Sequence, residues 1–111
     1  MKPKIERGEI WWVNLDPTRG AEIRKKRPCL IVSADAINRW RATPVVIPLS
    51  ASPEDAVPVV VAVPSAGPDS VAVVDQIRAV DRSRFVSCAG KLSSDDLSAV
   101  EAALKRVLEL P

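Results

Sequence analysis

A chain of 111 residues is long enough for one hydrophobic core and too short for two, so a single domain over residues 1–111 is expected. Hydrophobic residues make up 47%, which excludes wholesale disorder, and ten prolines argue against a helical bundle, because proline neither continues a helix nor donates to a sheet ladder. The net charge of only +2 excludes a general polyanion coat, but its distribution is uneven: residues 1–27 hold eight Lys/Arg against four Asp/Glu, and the remainder holds eight against ten.

The opening MKPKIERGE is charged and lacks the apolar stretch of a secretory leader. The longest apolar run, residues 56–64, is too short to span a bilayer and is interrupted by Pro58. A cytoplasmic chain without a membrane role is expected, with Cys29 and Cys88 as small core residues in strands.

Residues 9–15, EIWWVNL, read as a strand in which Trp11 and Trp12 point to opposite faces. One belongs to the core; the other is open between stacking a base and packing at a subunit interface. Asp16-Pro17-Thr18-Arg19-Gly20 is turn chemistry. The cationic unit Arg24-Lys25-Lys26-Arg27 follows, and Pro28 biases Arg27 toward an extended backbone. Residues 29–33, CLIVS, form a continuous apolar run, expected as a strand buried on both faces. A helical turn is expected over 34–42 and a third strand over 44–49, ending at Ser50. Further strands are predicted at 57–63, an edge strand because of Pro58, and at 71–74, with 75–80 continuing extended and 85–92 last. Then the period changes: Ser93-Ser94-Asp95-Asp96 is helix-capping chemistry, and Leu97, Val100, Leu104, Val107 and Leu108 recur at helical spacing. The sum is a mainly β fold with α, a small barrel carrying a C-terminal helix.

The chain has no His and no Tyr, which excludes the Ser-His-Asp and Cys-His arrangements. Neither CxxC nor HExxH occurs, nor a glycine-rich phosphate loop, so no metal and no cofactor is expected. What remains is a cationic loop beside strands with single polar residues. Arg27 offers a planar fork matched to phosphate, or is a solvated surface arginine. Ser50, at a strand end, is a hydrogen-bond donor to a phosphate oxygen or a turn residue. Glu22 is a proton acceptor held ionised by nearby cations, or a loop acid paired with one of them. Gln76 and Arg78, two apart in an extended segment, would face the same way, to read a base, to bind phosphate, or simply as a polar strand face.

Residues 7–22, RGEIWWVNLDPTRGAE, and 26–33, KRPCLIVS, resemble the opening of the MazF/PemK toxins. Val46-Ile47-Pro48-Leu49-Ser50, Asp75-Gln76-Ile77-Arg78 and Lys91-Leu92 before a terminal helix resemble that family's later motifs, in the same order and at family spacing. The resemblance implies an SH3-like barrel of the MazF/CcdB kind, and a toxin that cuts single-stranded RNA, usually mRNA, without a metal, leaving 2′,3′-cyclic phosphate and 5′-hydroxyl ends. It implies a homodimer with the RNA groove at its two-fold interface. A MazE-like antitoxin would fill that groove with an acidic and apolar tail, and contact with DNA would come only through the antitoxin. Carried over by position, Arg27 is the essential arginine, Ser50 the hydroxyl, Glu22 the loop acid, and Gln76 and Arg78 lie on a substrate-contacting strand. Arg19, Lys25 and Lys26 complete the cationic substrate loop. Ala21 stands where many members have Ser, removing one hydrogen bond to the RNA. Two alternatives are a CcdB-like gyrase poison, against which stand Arg27-Pro28, Ser50 and the ending Leu108-Glu109-Leu110-Pro111, and an inactive RNA-binding domain.

Overall fold

A run of apolar, β-favouring side chains from Ile10 to Val13 makes residues 9–14 a strand, and apolar runs recur along the chain. A computed structural model of the chain describes residues 4–16, 20, 25–51 and 60–111. Among these, the elements are β1 (Glu9–Asn14), β2 (Lys26–Ile31), α1 (Asp35–Trp40), β3 (Val45–Ser50), β4 (Val60–Ala62), β5 (Val71–Val73), β6 (Arg78–Ala79), β7 (Phe85–Lys91) and α2 (Ser94–Leu108). The strands form an antiparallel sheet in the order β4-β5-β3-β2-β1-β7, with β6 also on β3.

β3 is where the sheet divides. Its first half, Val45 and Val46, pairs with Ala79 and Arg78 of β6, while its last residues, Leu49 and Ser50, pair with Ala72 and Val71 of β5. One strand therefore serves two partners on the same edge, and the sheet must curl to allow it. Irregularities between Ile10 and Trp11 and between Trp12 and Val13, where β1 meets β7, add twist at the other end.

Curling gives the central strands two buried faces. Ile10, Leu30, Ile47 and Leu49 pack with Val100 and Ala103 of α2. Trp11, Val13, Cys29, Ile31 and Val46 pack on the opposite side with Ile5, Val80 and Phe85. The double burial expected of residues 29–33 is thus observed, although the strand itself begins earlier, at Lys26, and ends at Ile31. Trp11 is 7% exposed, its ring edge-on to Phe85 with centroids 6.1 Å apart, whereas Trp12 on the other face is 39% exposed.

Several local expectations need correction. Gln76 and Arg78 do not share a strand face: Val74–Gln76 is a 3-10 turn, and β6 begins only at Arg78. The helical turn is inserted because Ile77 N–H bonds back to the Val74 carbonyl. Cys29 is buried as expected, but Cys88 is exposed, because β7 is the outermost strand and only Phe85 of it is buried. In α2 the apolar stripe runs through Leu97, Val100, Ala103, Leu104 and Val107; Leu108 turns out to solvent as the helix ends. Of the strand expected at 57–63, residues 57–59 lie outside the described residues.

The connections are tied down by polar groups. Ser93 caps α2 by accepting from Asp96 N–H, and the Asp96 carboxylate accepts from Ser65 N–H at 2.8 Å and from its hydroxyl, joining the Pro64–Ala66 turn to the helix. These hydrogen bonds, the Ser65 hydroxyl's first, hold the Asp96 carboxyl below the usual range. Buried Asn38 donates to the Ser33 carbonyl at 3.0 Å, and Val45 N–H donates to the Ser33 hydroxyl at 3.0 Å, so α1 is pinned to both strands it connects.

Candidate active site

The β2–β3 ladder pairs Cys29 with Pro48 and Leu30 with Ile47. Continuing that register by two residues sets Arg27 of β2 opposite Ser50 of β3, and both line one cleft of about 360 Å³ with Lys25, Lys26 and Trp12. Arg27 is half-buried and Ser50 is 4% exposed. The strand pair explains the placement. Pro28 takes no part in donating to the ladder, and Pro48 sits directly beside Cys29, so the apolar run is held while its cationic end projects at the cleft.

The approach to Arg27 is set by a chain of hydrogen bonds. Lys25 has a left-handed backbone, φ 71°, which costs a non-glycine residue on the order of 1–2 kcal/mol. Its N–H donates to the Asp16 carboxylate at 3.0 Å, and its carbonyl accepts from Leu15 N–H at 2.9 Å. Asp16 N–H in turn donates to the Asn14 side-chain oxygen at 3.1 Å, and the Asp16 carbonyl accepts from the Arg84 guanidinium. The strained residue is therefore held from two sides, immediately before the cations.

Arg78 reaches the same region from β6. The Cys29 thiol is pushed up to about 12 by burial, an effect opposed by the nearby Arg78 and Arg27 guanidiniums. Both arginines therefore act on one buried sulfur, and that sulfur stays a thiol at neutral pH. A thiolate nucleophile is thus excluded at Cys29. Gln76 sits in the turn before β6 and, among the described residues, is not part of the Arg27–Ser50 cleft. Glu22, Arg19 and Ala21 lie outside the described residues.

The cleft does not end at Ser50. A second hollow of about 270 Å³ shares Trp12, Pro28, Leu49 and Ser70 with it and runs on to Ala89, Gly90 and Lys91 of β7. The half-exposed indole of Trp12 is thus the shared floor of one groove. Ser70 is a residue that sequence reasoning missed. It joins the groove because Val71 pairs with Ser50, a contact twenty-one positions apart for which the sequence carries no local signal.

A model of the PemK-like, MazF-like toxins of type II toxin–antitoxin systems matches residues 6–108. The chain belongs to this family. Endoribonuclease MazF9 of Mycobacterium tuberculosis is 33% identical over 115 residues, covering 96% of this chain and 98% of that protein. The crystal structure of MazF from Deinococcus radiodurans superposes with a TM-score of 0.86 at 26% identity, over 97% of this chain and 99% of the other. An endoribonuclease from a mycobacterial species, solved in complex with its cognate antitoxin, superposes with a TM-score of 0.77 at 25% identity, over 97% and 96% of the two chains. The antiparallel sheet with its C-terminal helix is the MazF toxin fold, as the sequence motifs imply.

Proposed function

We propose that this MazF-family toxin cuts single-stranded RNA, in the cell mRNA, by attack of a ribose 2′-hydroxyl on the adjacent phosphate, with no metal ion. The observation that carries the reading is Arg27 set across from Ser50 in a cation-rimmed groove floored by Trp12. In this reaction the nucleophile belongs to the substrate. The 2′-oxygen bonds to phosphorus, its proton leaves to a base, and the 5′-oxygen departs and takes up a proton. The products are a 2′,3′-cyclic phosphate and a 5′-hydroxyl.

The protein then has two tasks, orientation and charge stabilisation. Arg27 remains charged throughout and presents paired N–H donors to the phosphoryl oxygens as negative charge builds there. Ser50, nearly buried, supplies a neutral donor beside it. Lys25 and Lys26 hold the flanking phosphates, and Trp12 offers a π-face to a splayed base. Arg78 adds positive potential from the β6 side, with Gln76 before it. Glu22, the loop acid of the motif, is a candidate proton acceptor, and Arg19 and Ala21 belong to the same stretch of sequence. The family membership and the endoribonuclease relatives favour RNA cleavage over gyrase poisoning.

The active form is a homodimer in the cytoplasm, and a MazE-like antitoxin neutralises it; the related toxin solved with its antitoxin supports that partnership. The test is digestion of a long RNA by the purified chain in EDTA, with the new ends mapped. New 5′-hydroxyl ends at a recurring short sequence are expected. Intact RNA in EDTA that is cut once Mg²⁺ is restored would refute the metal-free mechanism.

A further inference from the structure

A line of cations leads away from the groove toward α1, joined in part by hydrogen bonds and in part by the chain itself. Lys25, beside Arg27, is bonded through its N–H to Asp16. Asp16 and Asn14 present their carbonyls to the Arg84 guanidinium. Two residues back, Arg82 N–H donates to the Ala42 carbonyl at 2.9 Å, and its Nε donates to the Arg41 carbonyl at 3.0 Å. Arg41 closes α1, where Arg39 and Trp40 precede it.

Three observations at the far end point to a ligand. Trp40 is 78% exposed, the most exposed large apolar side chain among the described residues. The Arg82 Nη2 is buried and has no hydrogen-bond partner, although Nε fixes the guanidinium in place. An unmet buried donor of this kind costs about 1–3 kcal/mol. Arg82 and Arg39 also line a hollow of about 250 Å³ that opens to solvent. The acids along the route have their carboxylates engaged by backbone amides: Asp16 by Lys25, Asp35 by Arg7 and Asp81 by Ser83. Glu6, at the hollow, pairs with Lys4 at 3.2 Å. Lys25, Arg84, Arg82, Arg41 and Arg39 number five against these four acids, which their amide hydrogen bonds and ion pair leave charged.

We propose that the RNA strand continues from the Arg27–Ser50 groove along this track, its phosphates on Arg84, Arg82, Arg41 and Arg39 and one base stacked on Trp40. The inference rests on the nuclease reading for its substrate. It adds an exosite, which binds a longer strand without touching the reacting phosphate. Arginines interleaved with an exposed aromatic suit a single strand, since every base has a π-face and every nucleotide a phosphate.

The test uses 2′-O-methylated strands of mixed sequence, about 4 and about 16 nucleotides long, spanning the site sizes of small barrels. They lack the attacking hydroxyl, so binding is read without cleavage. Trp40→Ala and the pair Arg39→Gln/Arg41→Gln alter exposed side chains, and their folding is checked by thermal melting. The long strand should bind Trp40→Ala about tenfold more weakly. For the arginine pair, the slope of log affinity against log salt should fall by about 0.7 per lost phosphate contact, hence about 1.4. The short strand should bind all variants as it binds the wild type. Unchanged long-strand affinity and slope in folded variants would overturn the exosite. So would an equal loss on both strands, or a Trp40→Ala chain of altered mass in light scattering, which would place Trp40 in a subunit contact. An acidic antitoxin peptide that loses affinity while the RNA keeps it would give the track to a protein partner and refute the RNA assignment. If the wild type cuts no RNA, the nuclease reading fails separately, and the inert strand still reports on the track.

Discussion

We propose Arg27 as the residue on which the chemistry turns, because it alone stands at the cleft, at the end of a cationic loop and at the position of the family's arginine. We predict that Arg27→Ala abolishes RNA cleavage while thermal unfolding stays that of the parent; a folded variant with parental turnover would remove Arg27 from the mechanism. Ser50→Ala should slow cleavage on the order of 10²-fold, the scale of one lost transition-state donor. The two thiols separate just as clearly. Cys88 is exposed and Cys29 is buried with its pKa pushed up to about 12 from 9.0. A thiol-titrating reagent at pH 8 should therefore count one fast thiol in the folded chain and two after denaturation. The sign of the linkage follows. Below pH 9 both states keep the Cys29 proton; between pH 9 and about 12 the unfolded chain releases it while the fold retains it. Stability should fall across that window, and the fall should be smaller in Cys29→Ala. Equal pH profiles for the two proteins would show that Cys29 is not the group responsible.

Among the elements, those announced by local chemistry are where the sequence places them. Residues 93–108 carry a hydroxyl cap, acids in the first turn and a helical apolar stripe, and α2 runs Ser94–Leu108. We predict that Ser93→Ala costs about 1 kcal/mol in urea unfolding. Asn38→Ala should cost about 1–3 kcal/mol, because it strips the bond to the Ser33 carbonyl from a buried link. If the Asn38 variant unfolds at the parental midpoint, the link is held by packing alone. β1 is equally legible, and β2 in part: the apolar run at 29–33 marks a doubly buried strand, but the strand starts at Lys26, in residues that read as loop, because Val13 and Asn14 of β1 pair with Arg27 and Lys26. The segment after Val73 is not legible. Its residues are strand-like one by one, yet β3 has already given its outer edge to β5 at one end, and the chain must turn at 74–76 before β6 reaches the other end. That demand comes from the partner strand, so the paired outlook expected of Gln76 and Arg78 was lost to it. The exposure of Cys88 has the same origin: whether a small apolar residue is covered depends on the strand order, and β7 lies at the rim. Of the groove, the Arg27–Ser50 pair was visible through motif and charge, while Ser70, Asp16 and Arg84 enter through contacts between remote segments.

At the scale of the whole molecule, charge placement governs encounter. Lys25, Lys26 and Arg27, three of the eight cations in residues 1–27, line the groove, while residues 28–111 are slightly acidic, so the field is directional in spite of a net charge of +2. RNA and an acidic antitoxin tail would then be drawn to the same face and need the same guanidinium. A groove open along Trp12 to the edge of β7 also suits an extended peptide that orders only on contact, its apolar residues on the indole and its acids on Lys25, Lys26 and Arg27. One protomer offers an open groove of which few residues enclose a strand, and a two-fold partner would complete it. We predict a homodimer by light scattering at micromolar concentration, with a monomer of full activity as the contrary result. On that dimer the antitoxin's acidic tail, added as a peptide, should displace a 2′-O-methylated RNA competitively. Both affinities should weaken as salt rises, because exposed charges more than about 10 Å apart are screened at 0.1 M. Simultaneous binding of peptide and RNA with unchanged affinities would mean that the tail lies elsewhere, and that neutralisation works by some route other than occupying the Arg27 groove.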